Sequence, residues 1–142
     1  MLINYGIKNK RMSIITDYKI SFGVKKIHDR DFKFIRSINY SLDSVITDFR
    51  NIVNCDNLLG AINSIMESPS PGEILYTTQG LQLIKITHST TEIYRDSAKY
   101  DSNPGIADYT LPTADFKEIV IAWRNFVVNG EGEEGRTSFY RD

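Results

Sequence analysis

The feature that most restricts the fold of this chain is an amphipathic segment that begins after Pro112. Thr113 is suited to cap a helix, Asp115 falls in its first turn, and Gly130 is suited to end it. Between these signals, large apolar residues recur at the spacing of one helix face: Phe116, Ile119, Val120, Trp123, Phe126 and Val127. A helix with such a stripe must bury it, so we expect Trp123 to lie in a core that the rest of the chain completes.

A helical hairpin is predicted upstream of a proline-rich break. After Ser41, which can serve as an N-cap, apolar residues fall on one stripe: Leu42, Val45, Ile46, Phe49, Ile52 and Val53. A second helix is predicted from Asp56, as N-cap, to the break at 68–72, which reads SPSPG. The short joint at Asn54 and Cys55 would place these two helices side by side.

Three segments beyond the break have strand character, namely 73–78, 81–88 and 91–95. Short polar turns separate them, which favours an antiparallel meander. A further strand is predicted at 12–22, where a period of two gives one apolar face: Ile14, Tyr18, Ile20 and Phe22. The stretch 25–37 is compatible with a second strand or with a turn of helix.

These elements predict a single α+β domain spanning residues 1–142. In it, an antiparallel sheet, formed by the N-terminal strand plus the meander, packs against the helical hairpin and the long C-terminal helix. Ile74 and Leu83 are expected in the shared core. An apolar fraction of 41% and a charged fraction of 25% are ordinary for globular proteins. The acidic, glycine-spaced residues 130–142 predict a flexible tail.

The expected compartment is the cytoplasm. The longest apolar runs, such as 119–123, are far shorter than the roughly 20 residues that cross a bilayer. The first residues lack the apolar core and cleavage site of a secretory signal. Cys55 is the single cysteine and therefore cannot form an internal disulfide.

No catalytic residue, metal site or cofactor is predicted. Residues 130–135 match the glycine pattern of dinucleotide-binding loops, but they follow a helix and carry three carboxylates, which repel phosphate. His28, His88 and Cys55 show none of the short paired spacings of zinc ligands. The serines lie in no nucleophile elbow. We therefore expect a protein that binds rather than one that catalyses.

Charge is unevenly distributed along the chain. Up to Pro71 there are ten Lys and Arg against seven Asp and Glu, and beyond it seven against eleven. Phe32 and Phe34 lie within the basic segment, which keeps open an alternative: a small enzyme or a nucleic-acid-handling domain. The overall pI of about 6.1 and the lack of a reader motif instead favour a partner that is not nucleic acid.

One motif resembles a known family. Residues 109–119 read YTLPTADFKEI and residues 122–126 read AWRNF. This string is similar to one in bacterial immunity proteins, the antidotes encoded beside contact-dependent growth inhibition toxins and other polymorphic toxins. The resemblance covers about eighteen residues. It implies a cytoplasmic protein that binds a cognate toxin domain and blocks its active site or its access to substrate.

The expected partner-binding residues lie in the stretch 94–109, which carries few helix or strand signals. They are tyrosines and carboxylates: Tyr94, Asp96, Tyr100, Asp101, Asp108 and Tyr109. Such carboxylates would attract a basic partner, for example a nuclease domain. The alternatives are that this stretch is a solvated surface loop, and that the chain is a protein-binding adaptor without a toxin.

Overall fold

The computed structural model describes residues 2–102 and 105–130 of the chain, and it has an α+β fold, as predicted. The predicted tail and most of the glycine pattern lie outside these residues. The elements in chain order are α1 Leu2–Asp17, β1 Ser21–Ile27, β2 Arg30–Arg36, α2 Tyr40–Thr47, α3 Ile52–Glu67, β3 Glu73–Thr77, β4 Leu83–Thr87, β5 Thr90–Tyr94, α4 Ser97–Ser102, β6 Tyr109–Pro112 and α5 Thr113–Asn129. They form a β1-β2 hairpin and an antiparallel sheet of order β3-β4-β5-β6.

The four-stranded sheet confirms the predicted meander and extends it by one strand. Ile84 pairs with Ile93 across β4 and β5, and both side chains are fully buried. β6 then adds to β5, with Leu111 opposite Thr91. The residues on this face pack against α3 and α5. Leu83 is buried but lies outside the main core cluster, because neighbouring residues of a strand point to opposite faces.

The core is centred on α5, whose apolar stripe is buried as predicted. Trp123 is 1% exposed, and its indole Nε1 donates a 2.8 Å hydrogen bond to the backbone oxygen of Phe49. Gly130 ends α5 in the left-handed conformation, with φ of 75°. Thr113 is the first residue of the helix rather than its cap, a position that Pro112 takes.

The predicted strand at 12–22 is wrong, because α1 extends to Asp17 and β1 begins only at Ser21. Ile14 and Ile15 are both buried, which suits a helix face and not an alternating strand. Side chains of α1 and of the following turn also contact α5. Arg11 Nε donates to Glu118 Oε1 over 2.9 Å, and the Tyr18 hydroxyl donates to Asp115 Oδ2 over 2.7 Å.

Both helices of the predicted hairpin are present, but α2 packs on β2 and α3 packs on α5, so they do not pair with each other, and their joint and caps also differ from the prediction. The side-chain oxygen of Asn39, not of Ser41, caps α2 by accepting from Ser41 N at 2.8 Å. That of Asn51, not of Asp56, caps α3. The chain leaves the helix between Thr47 and Ile52 instead of at 54–55. This break leaves the Phe49 carbonyl unbonded within a helix, so that it can accept the hydrogen bond from Trp123.

Candidate partner-binding site

The stretch 25–37, which the sequence left open, is mostly the second half of a β-hairpin. Its turn residues, His28 and Asp29, have φ of 50° and 64°, the signs that a type I′ turn requires. Because paired residues share a face, Phe22 and Ile35 point into the core. The other face, which we call the outer face, carries Lys25, Ile27, Phe32, Phe34 and Arg36.

The inner face is fastened to the end of α5 by a lysine. Lys33 Nζ donates to the backbone oxygens of Val127 at 2.7 Å and of Phe126 at 3.2 Å. These carbonyls belong to the last turn of the helix, where the helix dipole favours a cation. The ammonium also lies 5.4 Å from the centre of the Phe126 ring. The hairpin is therefore held at a fixed place on the core.

On the outer face, Gly23 makes room for an aromatic ring. A Cβ built on Gly23 would overlap the ring of Phe34, which lies directly over this strand position. The guanidinium carbon of Arg36 in turn lies 5.1 Å from the centre of that ring. Backbone, ring and guanidinium thus form three successive layers.

A groove of about 470 Å³ separates the outer face from α2 and the residues that follow it. Phe32, Phe34 and Tyr40 supply its aromatic surface, and Lys25, Arg36 and Arg50 bring positive charge. Tyr40, at the start of α2, is 67% exposed. An aromatic groove of this kind is the usual form of a binding site.

Three arginines at the groove stack on aromatic rings. Besides Arg36 on Phe34, Arg50 lies 5.5 Å from the ring centre of Phe32, and Arg95 lies 4.6 Å from that of Tyr40. None of the three is ion-paired with a carboxylate in the described part of the chain. A guanidinium group that contacts a ring still carries five N–H donors, which a ring does not satisfy as an acceptor oxygen would.

The carboxylates of the groove are engaged within the fold. Asp48 Oδ2 accepts hydrogen bonds of 2.8 Å from both Thr78 Oγ1 and Gln82 Nε2. Asp43 Oδ1 accepts from Ser37 Oγ at 2.6 Å, and burial raises the pKa of its carboxyl group. Both carboxylates in the lining therefore already accept hydrogen bonds from side chains of the fold.

The predicted site at 94–109 is more ordered than its sequence indicates, since it contains α4 and the start of β6. Tyr94 is fully buried, so it has no surface to offer a partner in this conformation. Its hydroxyl donates to Glu92 Oε1 at 2.7 Å and accepts from Gly105 N at 3.1 Å. Its ring meets that of Tyr100 edge-on, with 5.0 Å between the centres. Tyr94 thus organises this segment from within.

The carboxylates of this segment also have structural roles. Asp108 accepts from Lys99 Nζ and from Arg95 N, both at 2.8 Å, and the Lys99 hydrogen bond is the main cause of its lowered pKa. Asp96 accepts from Ala98 N at 3.0 Å in the first turn of α4. Asp101 is exposed and Tyr109 is half-buried in β6, where burial raises its pKa.

The two surfaces adjoin, because Arg95 at the end of β5 stacks on Tyr40 at the groove. Of the six predicted residues, Asp96, Asp101 and the half-buried Tyr100 lie on the surface that continues from Arg95 through α4. The prediction missed two residues that line the groove, Tyr40 and Arg50, and also Arg95, which contacts Tyr40. In the sequence, only the alternation of Phe32, Phe34 and Arg36 indicated the groove.

The histidines and the cysteine form no common site. His28 is exposed at the hairpin turn and His88 is exposed after β4. Cys55 is buried against the Phe49 carbonyl, and burial raises its pKa to about 11. Across the described ranges, no three His, Cys, Asp or Glu residues are grouped as metal ligands. No helix in those ranges has the length and apolar character to cross a membrane.

Comparisons with protein families, with curated proteins and with solved structures found no match to this chain.

Proposed function

We propose that this chain is a binding protein of the immunity type, which neutralises a toxin domain by occluding its active site. In this proposal the partner is held by the groove together with the adjoining surface of Arg95 and α4. We call this combined area the binding face. Its aromatic and charged side chains are those of Phe32, Phe34 and Arg36 on β2, Tyr40 on α2, Arg50 after α2, and Arg95 after β5.

The observation that carries the proposal is the set of arginine-on-ring stacks around an open groove. Aromatic residues and arginine are the side chains most enriched at the energetic centres of protein interfaces. Tyr40 is largely exposed, although a tyrosine ring gains free energy when it is covered. A partner that covers Tyr40, Phe32 and Phe34 would bury one continuous aromatic surface.

Rigidity of the groove also supports binding. Lys33 holds one wall to α5, and the Asp48 carboxylate joins the other wall to Thr78 and Gln82. A site that is already ordered loses less conformational entropy when a partner binds. The stacked arginines share this advantage, because their side chains are restrained before contact.

The string that resembles immunity proteins contains many of the residues that form the core around α5. Phe116, Trp123 and Phe126 of the matching string are all buried in α5. The string therefore specifies how the last helix packs, and it supplies little surface for a toxin. Under this proposal the contacts with a toxin come from other residues, which need not resemble those of another immunity protein.

The test is growth rescue by co-expression. A toxin domain encoded by the adjacent upstream gene is expressed with the wild-type chain, with Tyr40→Ala/Arg50→Ala, or with the control Lys117→Ala on α5. We expect rescue and co-purification with the wild type and the control, and loss of both with the double variant. Equal rescue by all three would place the interface elsewhere, and no rescue by the wild type would reject the neutralising role.

A nucleic-acid-handling role is the second candidate, because Phe32 and Phe34 share the outer face with Lys25 and Arg36. Alternating rings and cations suit base stacking beside phosphate contacts. This role predicts binding of oligothymidylate that weakens steeply as salt concentration rises. An adaptor that uses the same face would bind its partner without protecting cells from a toxin.

A further inference from the structure

We infer that the groove takes a carboxylate-rich segment of a partner protein, in which acidic side chains alternate with apolar ones. This inference rests on the proposed protein-binding function and specifies the chemistry of the partner. It replaces the expectation of a basic partner, which relied on the carboxylates between residues 94 and 109. Asp108 in that stretch is already paired with Lys99, and Asp96 is bonded to α4.

The first support is the state of the guanidinium groups. Arg36, Arg50 and Arg95 have ring contacts but no salt bridge within 4.0 Å among the described residues, although the charge of Arg36 acts to lower the pKa of Asp43 and that of Arg95 acts to lower the pKa of Asp108. A carboxylate can accept two parallel hydrogen bonds from one guanidinium, and the planar fork is suited to this geometry. The ring contact holds each guanidinium group over an aromatic side chain, so its positive charge is already near the groove when a ligand arrives.

The second support is the balance of charge in the groove. Three cationic side chains, those of Lys25, Arg36 and Arg50, belong to residues of its lining, as do the carboxylates of Asp43 and Asp48. Lys33 is bonded to the end of α5, while both carboxylates accept hydrogen bonds from the protein's own side chains. These donors are neutral and leave the carboxylates charged, so the three cations against two carboxylates give a small positive excess, which favours an anionic ligand over a basic one.

The third support separates a protein from a nucleic acid as the ligand. Ile27, which lines the groove, is 40% exposed. An exposed aliphatic side chain in the groove suits an apolar side chain of a peptide. Asp101 is exposed on the adjoining α4 and would repel a continuous phosphate backbone.

The experiment uses isotopically labelled chain and three probes at equal salt concentration. The probes are a short synthetic peptide of alternating Glu and Val, the same peptide with Gln for Glu, and oligothymidylate of equal length. We expect the Glu peptide to shift the Nε–Hε resonances of Arg36, Arg50 and Arg95, and to bind at least about tenfold more tightly than either other probe. Tighter binding of oligothymidylate, or equal binding of the Gln peptide, would overturn the inference.

Arginine-to-lysine variants then test the geometry apart from the charge. Arg36→Lys and Arg50→Lys each keep the positive charge but lose the planar fork, so we expect about tenfold weaker binding of the Glu peptide. The control Lys117→Gln removes a charge from α5 and should change affinity by less than about twofold. Unchanged affinity in both lysine variants would reject oriented carboxylate recognition.

The result is independent of any toxin. Peptide binding at the groove without growth rescue would keep this inference and reject the neutralising role. Growth rescue without peptide binding would reject this inference and keep that role. In both cases the melting temperature of each variant, compared with the wild type, shows whether the fold is intact.

Discussion

The hydrogen bond between Trp123 and the Phe49 carbonyl should contribute measurably to stability. In Trp123→Phe the donor is lost, which leaves a buried carbonyl with only the weak thiol of Cys55 at 3.5 Å. An unsatisfied buried acceptor costs about 1–3 kcal/mol. The smaller ring also leaves unfilled space in a core where Trp123 is 1% exposed, at a further cost of about 1–2 kcal/mol.

Together these effects predict that the free energy of unfolding falls by about 3 kcal/mol, and that Tm falls by roughly 10 °C for a domain of this size. Urea unfolding followed by far-UV circular dichroism measures the loss, because Trp123 is the single tryptophan and its fluorescence disappears in the variant. The control Tyr40→Phe removes an exposed hydroxyl and should cost less than about 0.5 kcal/mol. A Tm drop in Trp123→Phe no larger than that of the control would refute the role assigned to this bond.

Two further predictions concern charged groups. Lys33→Met should lower the free energy of unfolding by about 1 kcal/mol, because it removes a cation from the last turn of α5, and thermal unfolding at low and high salt would measure it. Asp108 has a lowered pKa, so its contribution to stability is complete above the ordinary aspartate value of about 4 and is lost as pH falls through the folded-state pKa. The stability difference between wild type and Asp108→Asn should therefore shrink below about pH 4, and a difference that grows on acidification would contradict this assignment.

Local signals predicted the parts of the fold that neighbouring residues determine. The stripe of α5, with Pro112 before it and Gly130 after it, is sufficient to define that helix, and the polar turns after Thr77 and Thr87 define the meander. The joint between α2 and α3 was misplaced, because Ile52 and Val53 continue the apolar spacing of α2 and conceal the local cap that Asn51 provides for α3.

The N-terminal helix was mistaken for a strand because polar residues alternate with Ile14, Tyr18 and Ile20 in the sequence. That alternation disregards Ile15, which is more deeply buried than Ile14. The decisive contacts are those of Arg11 and Tyr18 with α5, and a period in the sequence cannot reveal them. Tertiary packing here overrides local preference.

The candidate site was predicted only in part for the same reason. Each of Phe32, Phe34 and Arg36 is visible as one face of a strand. Their association with Arg50 and Tyr40 depends on how α2 docks against β2. For the segment 94–109, composition identified tyrosines and acids, but it could not tell a buried tyrosine such as Tyr94 from an exposed one.

Successive residues of strand β2 point to opposite faces of the hairpin. Lys33 and Ile35 bind the domain together, whereas Phe32, Phe34 and Arg36 face the groove. On the proposed function, substitutions at the second set should alter recognition with little effect on folding, provided that Gly23 still leaves space for the residue opposite it. Lineages that face changing partners could therefore diversify at every other residue of one strand while inheriting the same scaffold.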